Sequence, residues 1–474
     1  MSVELSLPRG SGLETAARVA ASAAVTTSRT SPGTLDWLAG HQRRALPVER
    51  LPLAELDGWS FAPGSGNLRH RSGRFFTVEG LHAHTDHGPV PEWTQPIIVQ
   101  RDIAILGILA KEIDGVLHFL LQAKMEPGNV NLVQLSPTVQ ATSSNYTRAH
   151  EGTLPPYLEY FLDPSRGRVL VDVLQSEQGS WFHHKRNRNV VIEVSEDVPE
   201  DDRFRWLPLG EIHRLLHRPN VINMDARTVL AGLPFLPPPG SGGPGGDGDG
   251  FGAALRRSLE PGGGPARHTM TEVVSWFTDR KCAYTMAARP IPLNAVEGWR
   301  VGGEEIVHDA GRHFRIVGVR VAASTREVSS WSQPLLAPGT GGLAAMVVRR
   351  FGGVLHALVR ADVRPGNRDM LELGPTVQCA LDERAEGRRL PFYDLAVSPP
   401  PGAVRYDMVQ SEEGGRFLAA QNRYVVVEAG ADFPAEVPPD YAWVTPGQLM
   451  ELQRHSYHLN IECRTLLLCL TSLR

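Results

Sequence analysis

Two long apolar runs, IAILGILAKEI (103–113) and VLHFLLQAKM (116–125), are joined by Asp114-Gly115. They read as strands, and Asp-Gly suits a two-residue hairpin turn in which both central residues take positive φ. A second pair of runs flanks Gly352-Gly353, which meets the same need. NVVIEV (189–194) and YVVVEAG (424–430) are β-branched and predict two more strands. LGEIHRLLH (209–217) and TPGQLMELQRH (445–455) carry apolar residues at helical spacing and predict amphipathic helices. The fold class is therefore α+β: a hairpin-rich sheet with at least one late helix, with every element written twice.

The duplication runs at a nearly constant offset. Gln95-Pro96 recurs as Gln333-Pro334, and Gly115-Val116-Leu117-His118 as Gly353-Val354-Leu355-His356. Pro127-Gly128-Asn129 recurs as Pro365-Gly366-Asn367, and Pro137-Thr138-Val139-Gln140 as Pro375-Thr376-Val377-Gln378, all in the same register. Gln175-Ser176-Glu177 and Asn187-Arg188 recur as Gln410-Ser411-Glu412 and Asn422-Arg423, after a small shift of that register. Trp206, Asn223 and Arg227-Thr228 recur as Trp443, Asn460 and Arg464-Thr465. Between the copies, LPPPGSGGPGGDGDGFG (236–252) is a Pro/Gly tract that cannot pack a core. The expected organisation is a flexible N-terminal tail (1–33), a first repeat (34–230), a linker (231–268) and a second repeat (269–474).

Composition narrows the class. A chain of 474 residues with 42% hydrophobic and 21% charged residues suits a globular protein of two domains. A net charge of -4 shows no basic excess of the kind nucleic-acid binders use. No apolar run reaches membrane-spanning length. AARVAASAAV (16–25) is interrupted by Arg18 and preceded by Glu4 and Glu14, so it reads as a frayed tail and not a signal peptide. Four cysteines without a C-x-x-C pair argue for a reducing cytoplasm and against a disulfide framework or zinc ribbon.

The shared polar residues have two readings. Pro127-Gly128 is a turn, whereas Asn129 and Gln140 offer amides to a sugar hydroxyl or a nucleobase edge. Arg188 and Arg423 either fork a diphosphate or pair with Glu177 and Glu412. The differences are sharper. Lys124 becomes Asp362 and Glu126 becomes Arg364, so both charges reverse. Ser136 becomes Gly374, His183-His184 becomes Leu418-Ala419, and ATSSNYTR gives way to ALDERAEG, removing Asn145, Tyr146 and Arg148. An acid/base site in the first copy cannot be repeated in the second. The first copy is then catalytic, and the second a relic, a binding site or a scaffold; the alternative is two drifted binding modules.

Common catalytic and nucleotide motifs are missing: there is no G-x-S-x-G, H-E-x-x-H or Walker loop. HAHTDH (82–87) places His82 and His84 on one face of a strand but reads as a solvated strand edge, so no metal is assigned. QAKMEPGNVNLVQLSPTVQATSSNYTR and QSEEGGRFLAAQNRYVVVE, together with the duplication from about residue 35 onward, resemble the NDP-hexose 2,3-dehydratases of deoxysugar biosynthesis. The resemblance implies a homodimer whose subunits hold two tandem Nudix-like α/β/α domains with mixed sheets. It implies action on dTDP-4-keto-6-deoxy-D-glucose, loss of the C-2 hydroxyl to leave a labile 3,4-diketo-2,6-dideoxyhexose, and a partner 3-ketoreductase, in antibiotic biosynthesis by actinomycetes. No R-E-x-x-E-E core is present in either copy, which argues against a metal-dependent pyrophosphatase. Two rival readings are a non-catalytic dTDP-sugar binder serving a glycosyltransferase and a nucleotide-sugar hydrolase.

Such an elimination needs a base at C-3, donors around O-4 and an acid for the leaving hydroxyl, and no redox cofactor. Glu126 or one of His183 and His184 is the candidate base, with Tyr146 or Lys124 donating to O-4 or the departing oxygen. Arg148, Arg186 and Arg188 are candidates for the diphosphate. Asn129, Gln140 and Asn145 are candidates for the hexose or thymine, with Gln134, Ser136, Gln175, Glu177 and Asn187 beside them. The corresponding second-pocket set is Asn367, Gln378, Gln410, Glu412, Asn422 and Arg423.

Overall fold

The computed structural model describes residues 9–26, 33–45, 47–142, 154–236, 250–260, 264–322, 330–380 and 390–473. The first repeat contributes β1 (Val48–Leu51), β2 (Trp59–Phe61), β3 (Leu68–His70), β4 (Thr77–Thr85), β5 (Glu92–Val99), β6 (Ala104–Ile113), β7 (Val116–Met125), β8 (Val133–Ser136), β9 (Val139–Ala141), β10 (Arg168–Ser176), β11 (Arg186–Glu193) and β12 (Phe204–Pro208). The second contributes β13 (Met286–Ile291), β14 (Trp299–Val301), β15 (Glu305–His308), β16 (Phe314–Ala322), β17 (Ser330–Pro338), β18 (Gly342–Phe351), β19 (Val354–Val363), β20 (Leu371–Gly374), β21 (Val377–Ala380), β22 (Val404–Ser411), β23 (Gln421–Glu428) and β24 (Tyr441–Val444).

The long hairpin is the spine of each half. Asp114 and Gly115 take φ of 51° and 76°, and Gly352 and Gly353 take 55° and 78°, as the two-residue turn requires. Around β6 and β7 the order is β10-β11-β6-β7-β12, with β8 added to β7 and β9 to β6; β18 and β19 are flanked in the same way. β11 runs parallel to β6, and β23 to β18, so these sheets are mixed. On one face of the first sheet lie the helices Leu209–Leu216 and Met224–Leu230, and on the other the short helix Leu158–Leu162. The second repeat places Pro446–Gln453, Ile461–Thr471 and Tyr393–Val397 equivalently. No helix among the described residues is long and apolar enough to cross a membrane.

The halves are interlocked. β1 pairs with β16 of the second repeat, and β13 pairs with β4 of the first. Each small sheet thus has its edge N–H and C=O groups satisfied by a strand from the other repeat. The helices Met224–Leu230 and Ile461–Thr471 pack together at the centre. Their arginines, Arg227 and Arg464, are both 0% exposed. Arg227 donates to the Ser411 carbonyl at 2.7 Å, and Arg464 to the Ser176 carbonyl at 2.5 Å and Thr228 Oγ1 at 2.7 Å. The repeated arginine is therefore a reciprocal tie, and one apolar core runs through both halves, from Ile108 and Leu121 to Met346 and Val359.

The repeated Pro-Gly-Asn turn has the same role. Gly128 N donates to the Gly414 carbonyl at 2.7 Å, and the Gly128 carbonyl accepts from Ala419 N at 2.7 Å. Gly366 makes the matching pair with the Gly179 carbonyl and His184 N, both at 2.7 Å. A Cβ on Gly128 would overlap the Phe417 carbonyl, and one on Gly366 the Phe182 carbonyl.

Two expectations are corrected. Residues 1–33 are not a frayed tail throughout: Arg9–Ala24 is a helix whose Val19 and Ala20 are fully buried. Arg18, read as an interruption, reaches Glu193 at 2.5 Å and Glu112 at 2.6 Å. Within 231–268, Phe251–Leu259 is a helix that packs on β19 with Ala254 and Leu255 buried. It is the counterpart of Arg9–Ala24, which packs on β7. Arg9–Ala24 is Ala-rich and shows little apolar periodicity, so packing reveals it, whereas Phe251–Leu259 is amphipathic but short and follows directly on the Pro/Gly tract.

Candidate active site

β7 carries Lys124 at its C-terminal end, and Glu126 begins the turn that follows. β9 lies antiparallel to β6 and brings Gln140 alongside. Lys124 Nζ donates to Gln140 Oε1 and stands 3.4 Å from Glu126 Oε1, while Gln140 Nε2 donates to Glu126 Oε1 at 3.3 Å. The same amide donates to Asp225 Oδ2. Asp225 sits in the first turn of Met224–Leu230, a helix capped by the Asn223 side chain, which accepts from Ala226 N at 2.8 Å.

The site is completed from the other repeat. Carboxylate oxygens of Glu126, Asp225 and Glu413 all lie within 4.8 Å of one another. Glu126 and Asp225 are each 3% exposed, whereas Glu413 is partly accessible. Glu413 Oε1 accepts from Gly415 N at 3.0 Å. Arg416 lies over the Phe76 ring at 4.4 Å, donates to Gln100 Oε1 at 3.1 Å, and turns its charge toward Glu413, Glu126 and Asp225.

Crowded carboxyls hold protons. Burial, then the Glu126 charge, pushes Asp225 up to about 7. Burial pushes Glu413 up to about 8, with Glu126 and Asp225 adding to the rise and Arg416 opposing it. These three oxygens are close enough to ligate a cation, but Lys124 and Arg416 already supply positive charge to them. The set is suited to moving protons between carboxyls of different acidity.

The predicted residues divide into groups. Lys124, Glu126 and Gln140 come together as expected. Asn129 borders them, its amide 3.5 Å from Glu126 Oε2. Glu177 accepts from Asn187 at 2.6 Å, and burial followed by the Asp225 and Glu413 charges raises it well above the usual carboxyl range. Gln134, Ser136 and Gln175 are interior ties: Gln134 donates to Ser411 Oγ at 2.8 Å, Ser136 accepts from Asn223 at 2.8 Å, and Gln175 donates to the Gln453 carbonyl at 2.9 Å. Arg188 is closed onto Asp172 by two bonds of 2.7 Å, and Arg423 onto Asp407 at 2.8 and 2.6 Å. Their partners are therefore strand neighbours and not Glu177 or Glu412. Arg186 keeps Nε without a hydrogen-bond partner among the described residues. His183 and His184 stack with centroids 3.9 Å apart beside the Pro365-Gly366 turn. Burial, then His184 and Arg101, lowers His183 to about 4. Asn145, Tyr146 and Arg148 lie outside the described residues.

The second repeat places different chemistry at the same positions. Asp362 and Arg364 pair at 2.8 Å, and Arg360 adds a 2.6 Å bond to Asp362. Burial pushes Asp362 up, but the two guanidiniums outweigh it and hold it below the usual range. Gln378 accepts from Asn460 at 2.8 Å. Asn367 is buried in its turn. Gln410 donates to the Leu216 carbonyl at 2.8 Å, and Glu412 accepts from Asn422 at 2.9 Å, Tyr424 at 2.7 Å and Gln178 at 2.8 Å. Where the first site receives Glu413 and Arg416, the second has Gln178 and Trp181 at the equivalent positions.

Asp225, Glu413 and Arg416 were missed from sequence. Asp225 lies between the aligned Asn223 and Arg227, and an acid, Glu462, recurs there. QSEQGS against QSEEGG carried the signal for Glu413. His82 and His84 face outward from β4, which lies between β5 and β13 and is thus not a sheet edge; His82 pairs with Glu92 at 2.6 Å.

The family description NDP-hexose 2,3-dehydratase matches residues 32–233 and 270–470, one span in each half. A relative from Saccharopolyspora spinosa, named dTDP-4-dehydro-6-deoxy-alpha-D-glucopyranose 2,3-dehydratase, is 48% identical over 441 residues, covering 92% of this chain and 90% of the relative. Relatives of the same name from Amycolatopsis orientalis and Streptomyces violaceoruber are 48% and 47% identical, covering 96% and 92% of this chain and 93% and 95% of their own lengths. With both halves matched and relatives 47–48% identical over more than nine-tenths of the chain, this chain belongs to the NDP-hexose 2,3-dehydratase family.

Proposed function

We propose that the chain removes water across C-2 and C-3 of dTDP-4-keto-6-deoxy-D-glucose, giving a 3,4-diketo-2,6-dideoxyhexose nucleotide. The observation that carries this reading is the Lys124–Glu126–Gln140–Asp225 cluster, present in one repeat and replaced by the Asp362–Arg364 pair in the other. The names of the three relatives supply the substrate.

The C-4 ketone acidifies the C-3 proton. Glu126 takes that proton, and Lys124 stabilises the enolate at O-4; each such contribution is worth about 100-fold or more. The C-2 hydroxyl leaves with a proton as water, and the C-3 enol tautomerises to the ketone. Gln140, held between Lys124, Glu126 and Asp225, fixes the geometry. Arg148 and Arg186 are the diphosphate candidates, since the Arg188 fork is closed on Asp172. Each half is a Nudix-like α/β/α unit, a reading supported by its mixed sheet with helices on both faces. The subunits form a homodimer in the cytoplasm, where the four free cysteines stay reduced. A 3-ketoreductase takes the labile product onward to antibiotic deoxysugars.

The test is to incubate the protein with dTDP-4-keto-6-deoxy-D-glucose, EDTA, a 3-ketoreductase and NADPH. Protein-dependent NADPH oxidation with a 2-deoxy product by NMR is expected; unchanged but bound substrate would leave a binding module instead. Glu126→Gln is expected to lose turnover and keep its dTDP affinity, and full activity would remove Glu126 as the base.

A further inference from the structure

We propose that Glu413, a residue of the second repeat, is the general acid that protonates the departing C-2 oxygen in the first repeat's site. The inference rests on the dehydratase reading above.

Four observations point to it. Glu413 crosses from the loop after β22 to bring an oxygen within 4.8 Å of Glu126 and Asp225. It is the member of that trio that is not fully buried as a residue, although its Oε2 is shielded from solvent. Its Oε1 is fixed by Gly415 N, while Oε2 has no hydrogen-bond partner among the described residues. The equivalent residue of the first repeat is Gln178, which has no acid proton to give and donates to Glu412 at 2.8 Å. The asymmetry between the pockets thus includes what each repeat donates to the other. Three carboxyls this close do not all ionise, and Glu413, up to about 8 through burial, keeps its proton at neutral pH.

The step balances. Glu126 removes the C-3 proton and the C–H electrons pass into the C-3–C-4 enolate, its charge on O-4 beside Lys124. The enolate then returns its pair to form the C-2–C-3 double bond as the C-2–O bond breaks with its pair on oxygen. That oxygen takes the Glu413 proton and leaves as water. The proton gained by Glu126 then returns to Glu413 through the cluster, with Asp225 between them as the relay. The enol transfers its own proton from O-3 to C-2, so the enzyme ends as it began.

Glu413→Gln and Glu126→Gln separate the roles. Glutamine keeps the shape of a protonated carboxyl. In D2O the Glu413→Gln protein is expected to exchange the substrate's C-3 hydrogen, read by NMR, while turnover falls at least about 100-fold. Its dTDP affinity by calorimetry should stay within about threefold, and the alkaline limb of the wild-type pH–rate profile near 8 should vanish. Glu126→Gln should lose exchange and turnover together. Turnover of Glu413→Gln near wild type, or joint loss of exchange and turnover, would overturn the proposal. An inert wild-type protein would instead sink the dehydratase reading.

Discussion

Glu126 and Glu413 face each other across the boundary between the repeats, yet only Glu126 lies in a run whose spacing marks it as chemical. Lys124, Glu126 and Gln140 are legible because all three lie within one short run of sequence, at the end of β7 and on β9. Asp225 is 85 residues from Gln140, and Glu413 comes from the other repeat, so nothing local couples them. Gly128 makes a different point. It looked like turn chemistry, and it is also the place where two backbones touch. Gly128→Ala is expected to cost about 3 kcal/mol or more, because the overlap is with the Phe417 carbonyl and not with a side chain that can rotate away. Denaturant titration checks this, and a midpoint unchanged from wild type would show that the clasp yields easily.

At the level of elements, the hairpins, the late helices and the β-branched strands follow from periodicity and turn residues. Which strand each one joins does not. β1 is short and partly exposed, with no sign of its partner, and it pairs with β16 of the other repeat, Val48 opposite Val321. The exchange of β1 and β13 predicts that neither half is stable alone. Residues 1–236 produced without residues 250–474 should aggregate or melt without cooperativity, and production of both pieces together should restore a soluble complex. A monodisperse, cooperatively melting half would contradict the interlock. The helices Arg9–Ala24 and Phe251–Leu259 belong at this scale too, since packing on β7 and β19 makes them helices of the fold.

For the whole molecule the desolvated carboxyls set a pH response. Burial raises Asp225 and Glu372 to about 7, and Glu413 and Glu462 to about 8. The native state keeps these protons after the unfolded chain has lost them, so they lower stability as pH rises from the ordinary carboxyl range to those values. Burial holds His183 and His356 down to about 4. The native state lacks those protons below the ordinary histidine value of about 6.5, so stability from these groups rises with pH up to there. Lys185, lowered to about 8 by burial against the pull of Glu177, adds stability only above that pH. The effects oppose one another below about 6.5, and the carboxyls act without histidine opposition from there to about 8. The melting temperature should therefore fall across that window. Asp225→Asn and Glu413→Gln should each flatten the slope, and a flat wild-type profile would contradict the assignment.

The sequence by itself determined the duplication, the hairpin spines, the family and the reversal of charge at Lys124 and Glu126 between the copies, because these depend on local periodicity and on comparing one copy with the other. Only the tertiary structure decided what the shared residues are for. The repeated Pro-Gly turn, buried arginine and Gln-Ser pair stand where each half grips the other, and a reciprocal contact constrains both copies equally. It also decided that the site is composite. Glu413 and Arg416 acquire meaning only when the second repeat folds against the first and places them, at contact range and low dielectric, beside Glu126 and Asp225.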